Sequence, residues 1–442
     1  MNAEIKPMKT AAELALAETF AVHKGKLPGA GEVAKLREAA FRNFDARGLP
    51  HRRVEEWKYT DLRALMREAK PLAPPPDAAA KARAKAAGKL VGDVECRRIV
   101  FVNGAFVPEL SDLAGLERGL TIRSMAQALA AGDPLITQYL GKVVGADDAA
   151  VEMNTALMGD GAVIHVAASA AVDRPLHLMF VGPAIPAAIF TRSLVVVEQG
   201  ARAMVIESHE GGADPDYQVN SALELVVGDK AHMDHVRLIG EGGKALHVST
   251  LMAAVGAHAR FNAFTFIASG AVVRNQIFLL LAGEETVAGI RGASLLKGRQ
   301  HADTTLVVDH VVTGCQSREL FKSVLDGDSH GIFQGKIIVR PGAQKTDAKM
   351  MTQALLLSER AEAANKPELE IFADDVQCGH GATAGALDQN LLFYLKARGI
   401  PEKEAEALLI QSFVGEAIEG IEHAGLREVL METVAAWLKA RE

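Results

Sequence analysis

Cysteine and aromatic residues are scarce in this 442-residue chain, at three residues and 5% respectively. Cys96, Cys315 and Cys378 lie far apart and form no C-x-x-C pair. That spacing excludes a disulfide framework and a self-contained zinc finger. No run of about twenty apolar residues exists, and the opening MNAEIKPMKTAAEL lacks the apolar core of a leader peptide. A soluble, cytoplasmic protein without membrane contact is expected. The formal charge of −7 and the absence of a long Lys/Arg run argue against a nucleic-acid binder. Several enzyme signatures are missing too. GEGGKAL (240–246) lacks the spacing of a phosphate-binding loop, and neither G-x-S-x-G nor H-E-x-x-H occurs.

What is abundant is glycine, alanine and valine, a composition that suits closely packed strands and small-residue turns. The texture gives four regions. Residues 1–70 read as helices: Thr10 and Glu13 form a capping-box pattern, and Gly48 is a helix stop. Within RRVEEWKYTDL (52–62), Trp57 is expected to anchor a short helix against the main body. Residues 71–94 read as a linker, with three consecutive prolines and a Lys/Arg/Ala tract lacking an apolar stripe. Residues 95–383 are rich in β-branched segments broken by glycine, and no amphipathic helix is evident between about 160 and 350. Residues 384–442 return to helix, with Leu409, Ile410, Phe413, Val414, Ala417, Ile418 and Ile421 on one broad stripe and Leu426, Leu430, Val434 and Leu438 on another.

A repeat lies within the strand-rich region. Gly200, Gly228, Gly256, Gly283, Gly314 and Gly342 open similar small or polar turns, at steps of 28, 28, 27, 31 and 28 residues. Each interval holds two or three short strands, and one such unit cannot bury its own apolar face. The periodicity predicts a mainly β fold, a β-helix flanked by helical regions; the competing architecture is a large β-sandwich with only roughly periodic turns.

The densest chemistry is in ADDVQCGHGAT (373–383). Read as one strand with the preceding LEIF, side chains alternate between faces. Leu369, Ile371, Ala373 and Asp375 then point inward, while Asp374, Val376, Cys378 and His380 share the other face. The adjacent carboxylates are split and do not suit a glycosidase pair. Cys378 and His380 project together, close enough to reach one metal ion. Two ligands do not close a site, since zinc and iron–sulfur centres take three or four. The remainder must come from elsewhere in the fold or from another chain. An isolated C-x-H is, however, more often a small buried cysteine beside a hydrogen-bonded histidine. His301, His310 and His330, and the Arg340–Lys345 turn, read as ordinary core or solvated groups.

KPELEIFADDVQCGHGATAGALDQNLLFYLKARGI (366–400) closely resembles the C-terminal signature of the SufB/SufD family of the SUF iron–sulfur cluster assembly system, in its SufD form. GIFQGKIIVRPGAQKTDAK, RRVEEWKYTDL and MNTALMGDGAVIHVA are similar to further family motifs, so the likeness spans nearly the whole chain. Chains of the SufB type usually read His-Glu-Ala where this one has His380-Gly381-Ala382. The resemblance implies a right-handed parallel β-helix core. It implies a non-catalytic scaffold that pairs with SufB through that core and binds the SufC ATPase through the C-terminal helical region. It further implies that Cys378 and His380 contribute to a shared interface site for iron or a nascent Fe–S cluster. Flavin has no signal in the sequence, and a homodimer of the isolated chain stays open. Two other readings stand beside this one: a cytosolic β-helix carbohydrate-active enzyme and a stand-alone structural solenoid.

Overall fold

Strand after strand from residue 162 onward pairs in register not with its sequence neighbour but with the next strand but one. A computed structural model describes residues 8–145, 147–212 and 215–441. The first seven residues, part of the segment read for a leader, lie outside them. Two sheets result, of ten and nine strands, and the chain alternates between them. Apart from Arg97–Val102 with Ala105–Phe106 and Leu120–Ser124 with Ala162–Val166, the pairings are parallel. This is a β-solenoid, mainly β, with helices at both ends of the sequence. Each glycine-marked interval is one coil with two strands of nine or ten residues.

The inside of the solenoid is built by stacking like on like. Leu225, Ala253, Leu279, Val308, Ile337 and Leu369 form one apolar column across successive coils. A parallel ladder places these side chains about 4.8 Å apart, so each coil covers the apolar face of the last. At Gly228, Gly256 and Gly283 the repeated glycine has a steric origin. A Cβ on Gly283 would lie 1.8 Å from the Ala257 amide nitrogen, because successive corners stack backbone on backbone. Gly283→Ala is therefore expected to lower stability by about 1–3 kcal/mol. Gly342→Ala, in the matching corner but with its nearest neighbour at 3.7 Å, should shift the urea midpoint by no more than about 0.5 kcal/mol.

Helices cover the outside of both sheets. The N-terminal helices Ala11–His23 and Glu32–Arg47 join Ala149–Leu157 against Ala188, Phe190, Leu246 and Val248 of the nine-stranded sheet. The capping box forms as expected, with Thr10 and Glu13 each accepting from the other's amide. Trp57 is buried in a 3-10 turn, donates from Nε1 to Asp148 at 2.8 Å, and lies under the Arg274 guanidinium. At the other end, Glu402–Ile418 and Ala424–Lys439 pack their apolar stripes on Ile206, Val236, Phe264, Leu295 and Val324 of the ten-stranded sheet. The stripes thus meet the solenoid itself, as well as each other.

Two stretches differ from the sequence expectation. The segment read as a linker contains a helix, Ala78–Lys85, whose Ala80 and Ala84 are buried against Val100, Val102, Met179 and Val181. Alanine supplies enough apolar surface for that contact without forming a recognisable stripe. Three short helices, Met125–Ala131, Pro134–Tyr139 and Ala149–Leu157, also precede the regular coils. Among the described residues, no helix is long and apolar enough to cross a membrane.

Candidate functional site

Cys378 and His380 belong to the last strand, Gln377–Gly385, at the outer edge of the ten-stranded sheet. Its one strand partner is Asp347–Leu356, which places Cys378 opposite Ala348 and His380 opposite Met350. Ala348 and Met350 are buried in the solenoid interior. Both candidate ligands therefore stand on the interior face of the final coil, where no further coil covers them. Cys378 is half-buried and packs on that core, whereas His380 is exposed. As read from sequence, the two project to the same side, about 6.6 Å apart along the strand axis, but that side is the interior one they share with Leu369 and Ala373, not the opposite face. The nine-stranded sheet ends in the same way, with Glu362–Ile371 paired on one side.

Of the two aspartates, Asp374 is exposed, away from the inward face as expected, and Asp375 is placed differently from the expectation. The segment LEIFADDVQCGH is not one strand, because the chain turns the corner between sheets at 372–376. Asp375 does not point inward with Leu369 and Ala373. It is exposed, paired with Lys345, and its amide donates to Gln344 Oε1 at 3.0 Å. Ile371 is exposed as well, beside Phe372. Alternation cannot be carried through a corner, since the turn resets which way each side chain faces.

Burial pushes the Cys378 thiol above its ordinary range, with Asp347 and Glu319 adding to the effect and the Ala348 backbone opposing it. The thiol is thus protonated in the isolated chain, and becoming a thiolate ligand requires a nearby positive charge. Among the described residues, neither Cys378 nor His380 belongs to a group of three ligand atoms within 4.8 Å of one another. What the chain offers here is two donors on an open edge. The other histidines singled out fall into ordinary roles. His301 contacts Thr60 Oγ1 at 2.9 Å, His310 is buried against Ser317 Oγ at 3.0 Å, and His330 is 3.1 Å from Glu362. Arg340 holds Asp309 through two nitrogens, at 2.9 and 2.8 Å.

Comparison with known proteins bears on the same residues. The chain matches the SUF system FeS cluster assembly SufBD core domain over residues 180–413, and the SufBD protein N-terminal region over 24–178. The chain belongs to the SufBD family. A SufBD family iron–sulfur cluster assembly protein of Synechocystis is 32% identical over 426 residues, covering 91% of this chain and 90% of the relative. Escherichia coli SufD is 29% identical over 393 residues, covering 88% and 89%. Bacillus subtilis SufD is 26% identical over 289 residues, covering 65% and 66%. Membership of the SufBD family ties the chain to iron–sulfur cluster assembly.

This SufBD chain also carries buried charge that the sequence did not reveal. On the interior face, Glu207 Oε2 accepts from His235 at 2.8 Å and from Arg237 at 2.7 and 2.9 Å. Burial opposes the Glu207 carboxylate, but Arg237 and His235 more than offset it and hold its pKa low. On the outer face, Arg192 pairs with Glu224 and Arg274 with Asp303, all four buried under helices. Glu319 is buried in the same interior column as Met350 and His380. The one available signal was the i, i+2 spacing of polar residues in apolar strands, as in Glu207–His209 and His235–Arg237.

Proposed function

We propose that the chain is a SufD-type, non-catalytic scaffold subunit that supplies half of an assembly site to a partner chain of the SufB type. The observation that carries this reading is the open end of the solenoid, where Cys378 and His380 stand on the interior face of an edge strand paired on one side alone. An uncapped parallel edge is a template for a further strand. A second solenoid laid against it would continue both sheets and cover the exposed Ile371 and Phe372. It would also bring its own ligands to the two offered here. Iron or the nascent cluster is cargo at this shared site. His380 supplies a ring nitrogen, and Cys378 supplies a thiol that the cargo's charge converts to thiolate. The C-terminal helices support the second docking role, toward a SufC-type ATPase. Helix Gln389–Lys396 buries Leu392 yet exposes Leu391, Phe393 and Tyr394.

The test is His380→Ala in a complex reconstituted anaerobically with both partner subunits. Cluster yield, read as iron and acid-labile sulfide per complex, is expected to fall about tenfold or more, at least the loss typical of outer-shell partners. The subunits should still co-elute. An unchanged yield in the intact complex would sink the proposal. Cys378→Ser is expected to lose less, because the thiol is half-buried and starts protonated.

A further inference from the structure

A second group of metal-ligating side chains lies inside the solenoid, far from its open end. His209 sits near the end of strand Arg202–Glu210, on the same interior face as Val205 and Glu207. Glu241 follows strand His232–Gly240, and His247 is the second residue of Leu246–Val255 in the other sheet. The three come from two successive coils and meet at one corner of the solenoid. They are 1%, 4% and 0% exposed, and one ligand atom from each lies within 4.8 Å of the other two.

The surroundings build this cluster rather than merely tolerate it. The His209 ring stacks on Phe180 at 4.7 Å and meets the His247 ring edge-on at 4.8 Å. Glu241 Oε1 is 2.8 Å from His247 Nδ1, and its Oε2 accepts from the Tyr217 hydroxyl at 2.5 Å. A Cβ on Gly242 would fall 2.0 Å from the Gly212 carbonyl oxygen, so the backbones of these two glycines pack directly on each other beside the group. Two polar atoms are left over: Nε2 of His209 and Nε2 of His247 are buried with no hydrogen-bond partner among the described residues. A buried nitrogen without a partner is destabilising, and two of them in touching rings need a common explanation. The nearby cation does not supply it, because Arg237 is held by Glu207.

We propose that His209 and His247 are the two imidazole ligands of a buried site for a single divalent transition-metal ion of the zinc class. Glu241 completes the site as a third ligand or orients His247 through Nδ1. Imidazole and carboxylate donors suit Zn2+, and three protein ligands leave one position for water. Carboxylate-to-histidine contacts of this kind are how metal-binding rings are held in place. Six strand spacings along the sheet separate His209's strand from that of Cys378 and His380, or about 29 Å. The ion would tie two coils together, and it is independent of the assembly site at the open end.

Because the three side chains are buried, loading is tested by refolding the full-length chain with Co2+ or Zn2+, followed by desalting. The wild type is expected to retain about one equivalent, with a Co2+ spectrum showing d–d bands and no thiolate charge transfer. His209→Gln and His247→Gln should each fall to background, while Cys378→Ser/His380→Ala keeps the metal. Retention that follows the Cys378 and His380 substitutions instead would overturn the proposal. So would a wild type that retains nothing, the result for a cluster bridged by water only. Should the glutamine variants not fold, X-ray absorption on the zinc-loaded wild type decides. Two imidazoles without sulfur are expected, and a sulfur ligand would overturn the assignment.

Discussion

Arg274→Ala is expected to destabilise the fold by about 3–5 kcal/mol, because it strands a carboxylate in the interior. Arg274 and Asp303 are both fully buried and paired. The guanidinium also donates to the Glu56 carbonyl at 2.6 Å and lies 4.5 Å from the Trp57 ring centre. With the arginine gone, Asp303 keeps, among the described residues, the Thr60 hydroxyl as its one hydrogen-bond partner. The penalty arises from the charge left behind, not from any large net value of the pair. Arg274→Met/Asp303→Leu should therefore recover most of the loss, since matched apolar replacements of buried pairs are often neutral. Urea midpoints for the single and double variants make the comparison. Equal destabilisation in both would show that lost packing against Trp57, and not the unpaired charge, sets the cost. Since Glu56, Trp57 and Thr60 all sit on the segment crossing the nine-stranded sheet, the single variant should also become protease-sensitive near residues 52–62.

That coupling shows which parts of this protein sequence reasoning could reach. The solenoid was legible because several corners either stack too closely for a Cβ, as at Gly228, Gly256 and Gly283, or take a positive φ, as at Gly200 and Gly314, which favours glycine at a near-constant step. Cys378 and His380 were legible because both lie within one uninterrupted strand. Asp375 was not, because a corner intervenes between it and Ile371. The buried pairs were also out of reach. Both faces of the central strands are covered, one by the next layer of the interior and the other by helices, so strands such as Ala188–Val197 are buried throughout. Period-2 alternation then no longer separates inside from outside. A charged residue in such a strand reads as solvent-facing until its partner is known, and the partners of Arg192 and Arg274 lie 32 and 29 residues away.

Glu319→Gln should flatten the dependence of stability on pH between about 6.5 and 8. Burial pushes the Glu319 carboxyl up to about 8, against smaller opposing pulls from Ser317 and Arg318. In this window the native state holds the proton while the unfolded chain, with a carboxyl pKa near 4.3, has lost it. A folded-state pKa raised in this way gives stability that is complete below the unfolded value and declines as pH rises to about 8. The slope is about 1.4 kcal/mol per pH unit. Below about pH 6.5 the trend is masked, because His310 and His177, buried neutral with pKa values pushed down to about 4 and about 3, oppose it. Their contributions are present above the ordinary histidine value and are lost as pH falls. Glutamine keeps the shape and polarity of the side chain but cannot titrate, so any constant cost shifts the whole profile without tilting it. Urea midpoints from pH 6.5 to 8.5 that decline equally in both proteins would assign the slope to other groups.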